Sequence, residues 1–200
     1  MPPQVSAIVL AAGSSRRMGR SKQLLPLGPK TVIRRCLESI IASGIWDVVV
    51  VLGVDGDAAR AAISGMPVRI VVNSDPGSEM AGSVRLGLGE IELASTGALI
   101  CLADHPLVSA HTIKTLMQEH TDNTDSIIIP LYHEKRGHPT LFPRTAVEGV
   151  FSGKTLRDVI AGHAGRVRTV EVDDEGIVLD MDTPQEYEQI LKRLVTGGAP

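Results

Sequence analysis

The sequence predicts a doubly wound α/β domain built on a mostly parallel sheet. Three observations carry this. Short apolar runs alternate with helical periodicity along the first 130 residues. The strand candidates lack the apolar–polar alternation of a sheet with one wet face, so both faces are expected to be covered. The loop after the first strand is rich in small and basic residues, at the edge where open α/β sheets bind ligands.

The elements follow in order. Ser6–Leu10 is a β-like run that leads to glycine. Thr31–Ser43 places Val32, Ile33, Cys36, Leu37, Ile40 and Ile41 on one helix face, and Gly44 closes it. Asp47–Leu52 is a β-branched strand, Asp55–Ile63 a helix and Val68–Val72 a strand. Gly82–Ile91 reads as a helix, Ala98–Leu102 as a strand, Ser109–His120 as a helix and Ser126–Ile129 as a strand. Beyond this the rhythm loosens. Thr140–Phe142 is a short strand candidate, Lys154–Ala161 a helix and Val167–Val172 a further strand. Thr183–Val195 is a closing helix with Pro184 in its first turn and Tyr187, Ile190, Leu191 and Leu194 inward. An antiparallel excursion covering one side of the site is expected in this second stretch. No repeat or linker interrupts the chain, so one domain over residues 1–200 is expected, with a frayed tail at 196–200.

Composition narrows the function. The chain carries 20 Lys and Arg against 23 Asp and Glu, and aromatics make up 2% of it. A broad nucleic-acid surface needs basic excess and stacking rings, so none is expected. No apolar run approaches a membrane span, and the start does not read as a signal peptide. A cytoplasmic location follows as an expectation. Cys36 and Cys101 are expected to be buried thiols of a reducing compartment.

The basic residues concentrate in one loop. Leu10-Ala11-Ala12-Gly13-Ser14-Ser15-Arg16-Arg17-Met18-Gly19-Arg20-Ser21-Lys22 follows the first strand directly. Small residues let backbone N–H groups approach a ligand. Hydroxyls and cations then supply what a triphosphate requires. The loop has neither the Gly-Lys-Ser/Thr ending of a Walker loop nor the Gly-x-Gly-x-x-Gly dinucleotide turn.

Two aspartates stand out elsewhere. Asp104 follows the Ala98–Leu102 strand, where a carboxylate points into the ligand crevice. Read alone it is also a candidate helix cap, although Ser109 is the better cap for the next helix. Leu179-Asp180-Met181-Asp182-Thr183-Pro184 offers a second carboxylate, from Asp180 or Asp182. Asp182 and Thr183 are also candidate caps of the last helix. Magnesium takes one or two carboxylates with phosphate oxygens and waters.

Continued into Leu24-Leu25-Pro26, the loop resembles the signature of the MobA-like nucleotidyltransferases, which attach CMP or GMP to molybdopterin. Asp104-His105-Pro106, Asp180-Met181-Asp182-Thr183-Pro184, Asn73 with Gly82-Ser83, and Gly137-His138-Pro139-Thr140-Leu141-Phe142 resemble further segments of that family. The resemblance implies a Rossmann-like fold of the nucleotide-diphospho-sugar transferase type. It implies that Gly13, Ser14 and Arg17 hold phosphates and that Lys22 contacts the α-phosphate. The backbone near Leu10 and Ala12 is implied to meet the base, and Asn73, Gly82 and Ser83 to help bind the nucleotide. Asp104 and Asp182, the latter in preference to Asp180 because it precedes Thr-Pro, are implied to bind Mg²⁺. Arg136 and His138 are candidates for the acceptor, although His138 reads equally as a structural histidine. Lys22, Arg17 and Asp104 are the expected catalytic set. Ala12 stands where the guanylyl branch carries glycine, which favours CTP over GTP. The expected partners are an NTP, molybdopterin or another phosphorylated small molecule, and a recipient molybdoenzyme. Two alternatives stay open: a sugar- or alcohol-phosphate nucleotidyltransferase, and a non-catalytic carrier of the molybdenum cofactor.

Overall fold

The computed structural model describes residues 4–13, 21–75, 77 and 79–196. The strands are β1 (Val5–Ala11), β2 (Pro26–Leu27), β3 (Lys30–Thr31), β4 (Val48–Gly53), β5 (Arg69–Asn73), β6 (Gly97–Leu102), β7 (Ile127–Tyr132), β8 (Lys135–Arg136), β9 (Thr140–Pro143) and β10 (Val167–Glu171). The helices are α1 (Val32–Ala42), α2 (Asp57–Ala62), α3 (Met80–Glu90), α4 (Ala110–Asp122), α5 (Arg144–Val147), α6 (Leu156–Gly162) and α7 (Pro184–Thr196).

The main sheet runs in the order β10-β7-β9-β6-β1-β4-β5, with β8 paired to β7. β1 lies at its centre, parallel to both β4 and β6. Its side chains leave on opposite faces, as the two-residue period requires. Val5, Ala7 and Val9 pack with Ile33, Leu37 and Ile40 of α1 and Ile113 and Leu116 of α4. Ile8 packs on the other face with Val84 and Leu88 of α3 and Val147 and Val159 of α5 and α6. Gly87 lets α3 come close, because a Cβ there would stand 2.4 Å from Ile8 Cγ2.

The expected antiparallel excursion exists, and its tip lines one side of the cavity described below. β9 is inserted into the sheet, antiparallel to both β6 and β7. Thr140, Leu141, Phe142 and Pro143 are all buried. The tip of the excursion is the β7–β8 hairpin, whose turn residues His133 and Glu134 have φ of 44° and 64°. Such a turn requires left-handed backbone at both central positions.

Caps explain the shifted boundaries. Thr155 and Asp158 form a reciprocal capping box, so α6 starts after Thr155 rather than at Lys154. α7 packs Ile190, with Tyr187, Leu191 and Leu194, on Leu25, Leu27, Val32 and Cys36. The Tyr187 hydroxyl donates to the carbonyl of Pro26. This docking decides the site, because it brings the residues preceding α7 next to those preceding β2.

Candidate active site

The carboxyl ends of the central parallel strands form one edge of the sheet. Asn73, Gly53, Ala11 and Leu102 end β5, β4, β1 and β6 in that spatial order. At roughly 4.8 Å between strands, the edge from β5 to β6 spans about 14 Å, the scale of an extended nucleotide. Ala12 and Gly13 leave β1 here. Gly53 lies under Ala12, where a Cβ would stand 3.3 Å from the Ala12 carbonyl oxygen. Ala103 N–H donates to Leu10 O at 3.1 Å, which ties the segment leading to Asp104 to the end of β1.

Lys22 opens a 3₁₀ turn, Lys22–Leu24. Gln23 fixes that turn: its side-chain amide donates to Ala11 O at 3.3 Å and its carbonyl accepts from Ser21 Oγ at 2.9 Å. The Lys22 ammonium lies 2.5 Å from Asp104 Oδ2 and 2.8 Å from Asp182 Oδ1. Its side chain is 12% exposed. Burial works against its charge, but the two carboxylates, Asp104 first, outweigh it and hold the ammonium pKa above the usual lysine value.

Other residues do the capping beside these aspartates. Ser109 Oγ accepts from Thr112 N–H at 3.1 Å and caps α4. Thr183 Oγ1 accepts from Glu186 N–H at 3.3 Å, while Glu186 accepts from the N–H groups of Asp182 and Thr183 at 2.8 and 2.7 Å. Asp182 thus lends its backbone to the cap while its carboxylate reaches Lys22.

Beside this cluster lies a cavity of about 550 Å³, lined in part by Asp104, His105, Lys135, Arg136, His138 and Asp182. One wall is the turn Glu175–Val178. Asp174 fastens it to the start of α4, accepting from Ser109 N–H at 2.9 Å and Thr112 Oγ1 at 2.5 Å. Ile177 O accepts from His138 N–H at 2.8 Å, and Gly137 leaves room for that carbonyl, since a Cβ would stand 2.4 Å from it. His105 and His138 pack together, and the Nδ1 atoms of both are buried with no hydrogen-bond partner. Burial first, and His105 second, push the His138 pKa down to about 4, so its imidazole is neutral near pH 7.

Among the residues expected at the site, Lys22, Asp104, Asp182, Arg136 and His138 come together. Leu10, Ala12 and Gly13 lie at the neighbouring strand end. Asn73, Gly82 and Ser83 form a separate group at the β5–α3 junction. Asn73 Nδ2 donates to Ser83 Oγ at 3.0 Å, and Gly82 and Ser83 are buried in α3. Ser14 and Arg17 lie outside the described residues. Lys135, His105 and Gln23 were not singled out beforehand. Lys135 adjoins Arg136 in a polar hairpin, a legible signal. Gln23 carries no pattern that marks it.

The Asp104–Asp182 pair fits a divalent cation. Both carboxylates already converge on one positive group, and Asp104 Oδ1 is buried with no hydrogen-bond partner. Among the described residues no cluster of three or more His, Cys, Asp or Glu gathers as metal ligands. The pair suits an ion that completes its shell with phosphate oxygens and water. Among the described residues no helix is long and apolar enough to cross a membrane.

Known proteins resemble this chain in sequence and fold. A relative named nicotine blue oxidoreductase, from Paenarthrobacter nicotinovorans, is 30% identical, with 94% of this chain and 97% of that one aligned. A probable molybdenum cofactor guanylyltransferase of Natranaerobius thermophilus is 28% identical over 97% and 98%. The crystal structure of Rv0371c from Mycobacterium tuberculosis H37Rv superposes with a TM-score of 0.84 at 29% identity, covering 96% of this chain and 99% of that one. The same protein has also been solved as a complex with manganese. The MobA-like NTP transferase domain matches residues 7–167, and the chain belongs to that family of nucleotidyltransferases.

Proposed function

We propose that this protein transfers a nucleoside monophosphate, CMP in the first place, from an NTP to the phosphate of molybdopterin and releases pyrophosphate. The observation that carries the reading is the convergence of Lys22, Asp104 and Asp182 at the lip of a cavity that also presents Lys135 and Arg136. The probable guanylyltransferase relative points to the same acceptor class.

In the reaction an acceptor phosphate oxygen forms a bond to the α-phosphorus. The bond from that phosphorus to the bridging oxygen breaks, and pyrophosphate leaves with the electron pair. A phosphate monoester has its second pKa near ~6 and is largely dianionic at neutral pH, so the nucleophile needs no general base. The residues position and neutralise. The backbone of Ala12 and Gly13 faces the nucleotide at the end of β1. Lys22 balances charge on the α-phosphate and the leaving group, and the resemblance gives Arg17 the same task. Asn73 orients Ser83, whose hydroxyl proton is free to donate. Arg136 and Lys135 attract the anionic acceptor, with the neutral His138 beneath. Mg²⁺, held by Asp104 and Asp182, would supply Lewis-acid neutralisation of the phosphates.

The test is pyrophosphate release with each of the four NTPs, Mg²⁺ and molybdopterin, with and without acceptor. CTP-specific, acceptor-dependent release is the expected result. Release dependent on GTP alone would overturn the base choice. Release with a sugar phosphate but not molybdopterin would overturn the acceptor. A second reading is favoured by one finding, the 30% identical relative named as an oxidoreductase. In that reading the strand edge binds the nucleotide of a redox cofactor, and nucleotide binds without pyrophosphate release.

A further inference from the structure

We infer that Lys22 is the resident counter-ion of the Asp104–Asp182 pair, and that Lys22 and a divalent cation occupy the pair alternately, so that the metal binds weakly alone and more tightly with the nucleotide. The inference rests on the metal role given to the two aspartates above.

The geometry carries it. An ammonium 2.5 Å from Asp104 Oδ2 and 2.8 Å from Asp182 Oδ1 stands where an ion shared by the two carboxylates must stand. Mg²⁺ binds oxygen at about 2.0–2.1 Å, so a magnesium ion on both oxygens and the ammonium cannot be seated together. With this little solvent around the pair, the repulsion between the two positive groups is poorly screened. The ammonium has to leave when the metal arrives.

Leaving is costly without a destination. The Lys22 side chain is 12% exposed, and a buried ammonium stripped of its anionic partners is strongly unfavourable. The polyphosphate of a nucleotide at the neighbouring end of β1 supplies a new partner. The movement needs no backbone change, because the turn that carries Lys22 is tied to β1 through Gln23 and Ala11 O. Only the four-carbon side chain has to swing. Metal and nucleotide binding are then positively coupled, and the coupling is reciprocal.

The first experiment measures Mn²⁺ binding to the full-length protein by the paramagnetic resonance of free Mn²⁺, with no nucleotide present. Lys22→Met removes the competing charge and keeps the length. It is expected to bind Mn²⁺ about tenfold or more tightly than the unsubstituted protein, and adding Asp104→Asn to it is expected to abolish that gain. Equal or weaker binding by a folded Lys22→Met protein would overturn the inference while leaving the metal role of the aspartates intact. No Mn²⁺ binding by either protein, with or without an NTP, would overturn both. A second measurement needs no variant. Acetic anhydride labelling of Lys22, read by mass spectrometry, is expected to be slow in the protein alone. It should become several-fold faster at saturating Mn²⁺ and slow again when an α,β-methylene NTP is added. A labelling rate indifferent to Mn²⁺ sinks the inference.

Discussion

The imidazole rings of His105 and His138 pack with centroids 5.2 Å apart and planes tilted by 57°. This contact, at the wall of the acceptor cavity, sets a pH dependence. The His138 pKa is lowered from 6.5 to about 4, by burial first and by His105 next, against the opposing pull of Asp104. Between those values the unfolded chain binds a proton that the folded chain refuses. The stability that depends on neutral His138 is therefore complete above about pH 6.5 and is lost as pH falls toward about 4. Urea midpoints at pH 7 and pH 5 check this. His138→Gln is expected to lose less stability over that interval than the unsubstituted protein, and equal losses would refute the assignment.

The two aspartates before α7 are expected to behave differently. Asp182 reaches Lys22 at 2.8 Å, while Asp180 lines the cavity. Asp182→Asn and Asp104→Asn should each lower kcat by about 10²-fold or more, the scale of removing a preorganised charge partner. Asp180→Asn should stay within about tenfold, because an exposed carboxylate contributes little. Steady-state pyrophosphate release measures all three. A larger loss for Asp180→Asn than for Asp182→Asn would reverse the choice between them.

Gly137→Ala tests the cavity wall. A Cβ would stand 2.4 Å from the Ile177 carbonyl oxygen and 2.7 Å from its Cγ1. One of the two segments must shift, at a cost of about 1–3 kcal/mol. The expected signature is a lower unfolding midpoint together with a raised KM for the acceptor and little change in KM for the NTP. An unchanged acceptor KM would show that this wall does not shape the acceptor site.

Asp47 makes the opposite case, a buried charge with no part in the reaction. It precedes β4 at the amino ends of the strands, away from the site. Its carboxylate accepts from Ser6 Oγ, from Arg69 and from Glu92 N–H. Asp47→Ala leaves buried donors unsatisfied and should cost about 1–3 kcal/mol. Chemical denaturation is expected to show this with both KM values unchanged, and a selective loss of activity would contradict it.

The sequence by itself determined the class of fold and the chemistry of its loop. Apolar runs such as Ala7–Val9 and Val48–Leu52, buried on both faces, read as central strands. The stripe from Val32 to Ile40 can only be a helix lying on them. Both are local periodic signals, and they survive folding because the core rewards them. The candidate residues at strand ends were legible for the same reason, since topology places strand ends at the crevice. Elements too short to show a period were not legible, notably the β2–β3 hairpin and α5.

Tertiary structure alone decided the rest. Only the docking of α7 on Leu25 and Leu27 brings Asp182 across 160 residues to Lys22, and no local pattern encodes such a distance. Likewise β9 enters the sheet as an antiparallel strand beside β6 because four buried residues need two hydrogen-bonded neighbours. The choice of neighbour depends on what the whole chain leaves open. Thr183 with Glu186, and Ser109, serve the helix ends, while the side chains of Asp182 and Asp104 meet Lys22. Backbone groups at helix ends must be satisfied somewhere, and where that happens is settled only when the chain has folded.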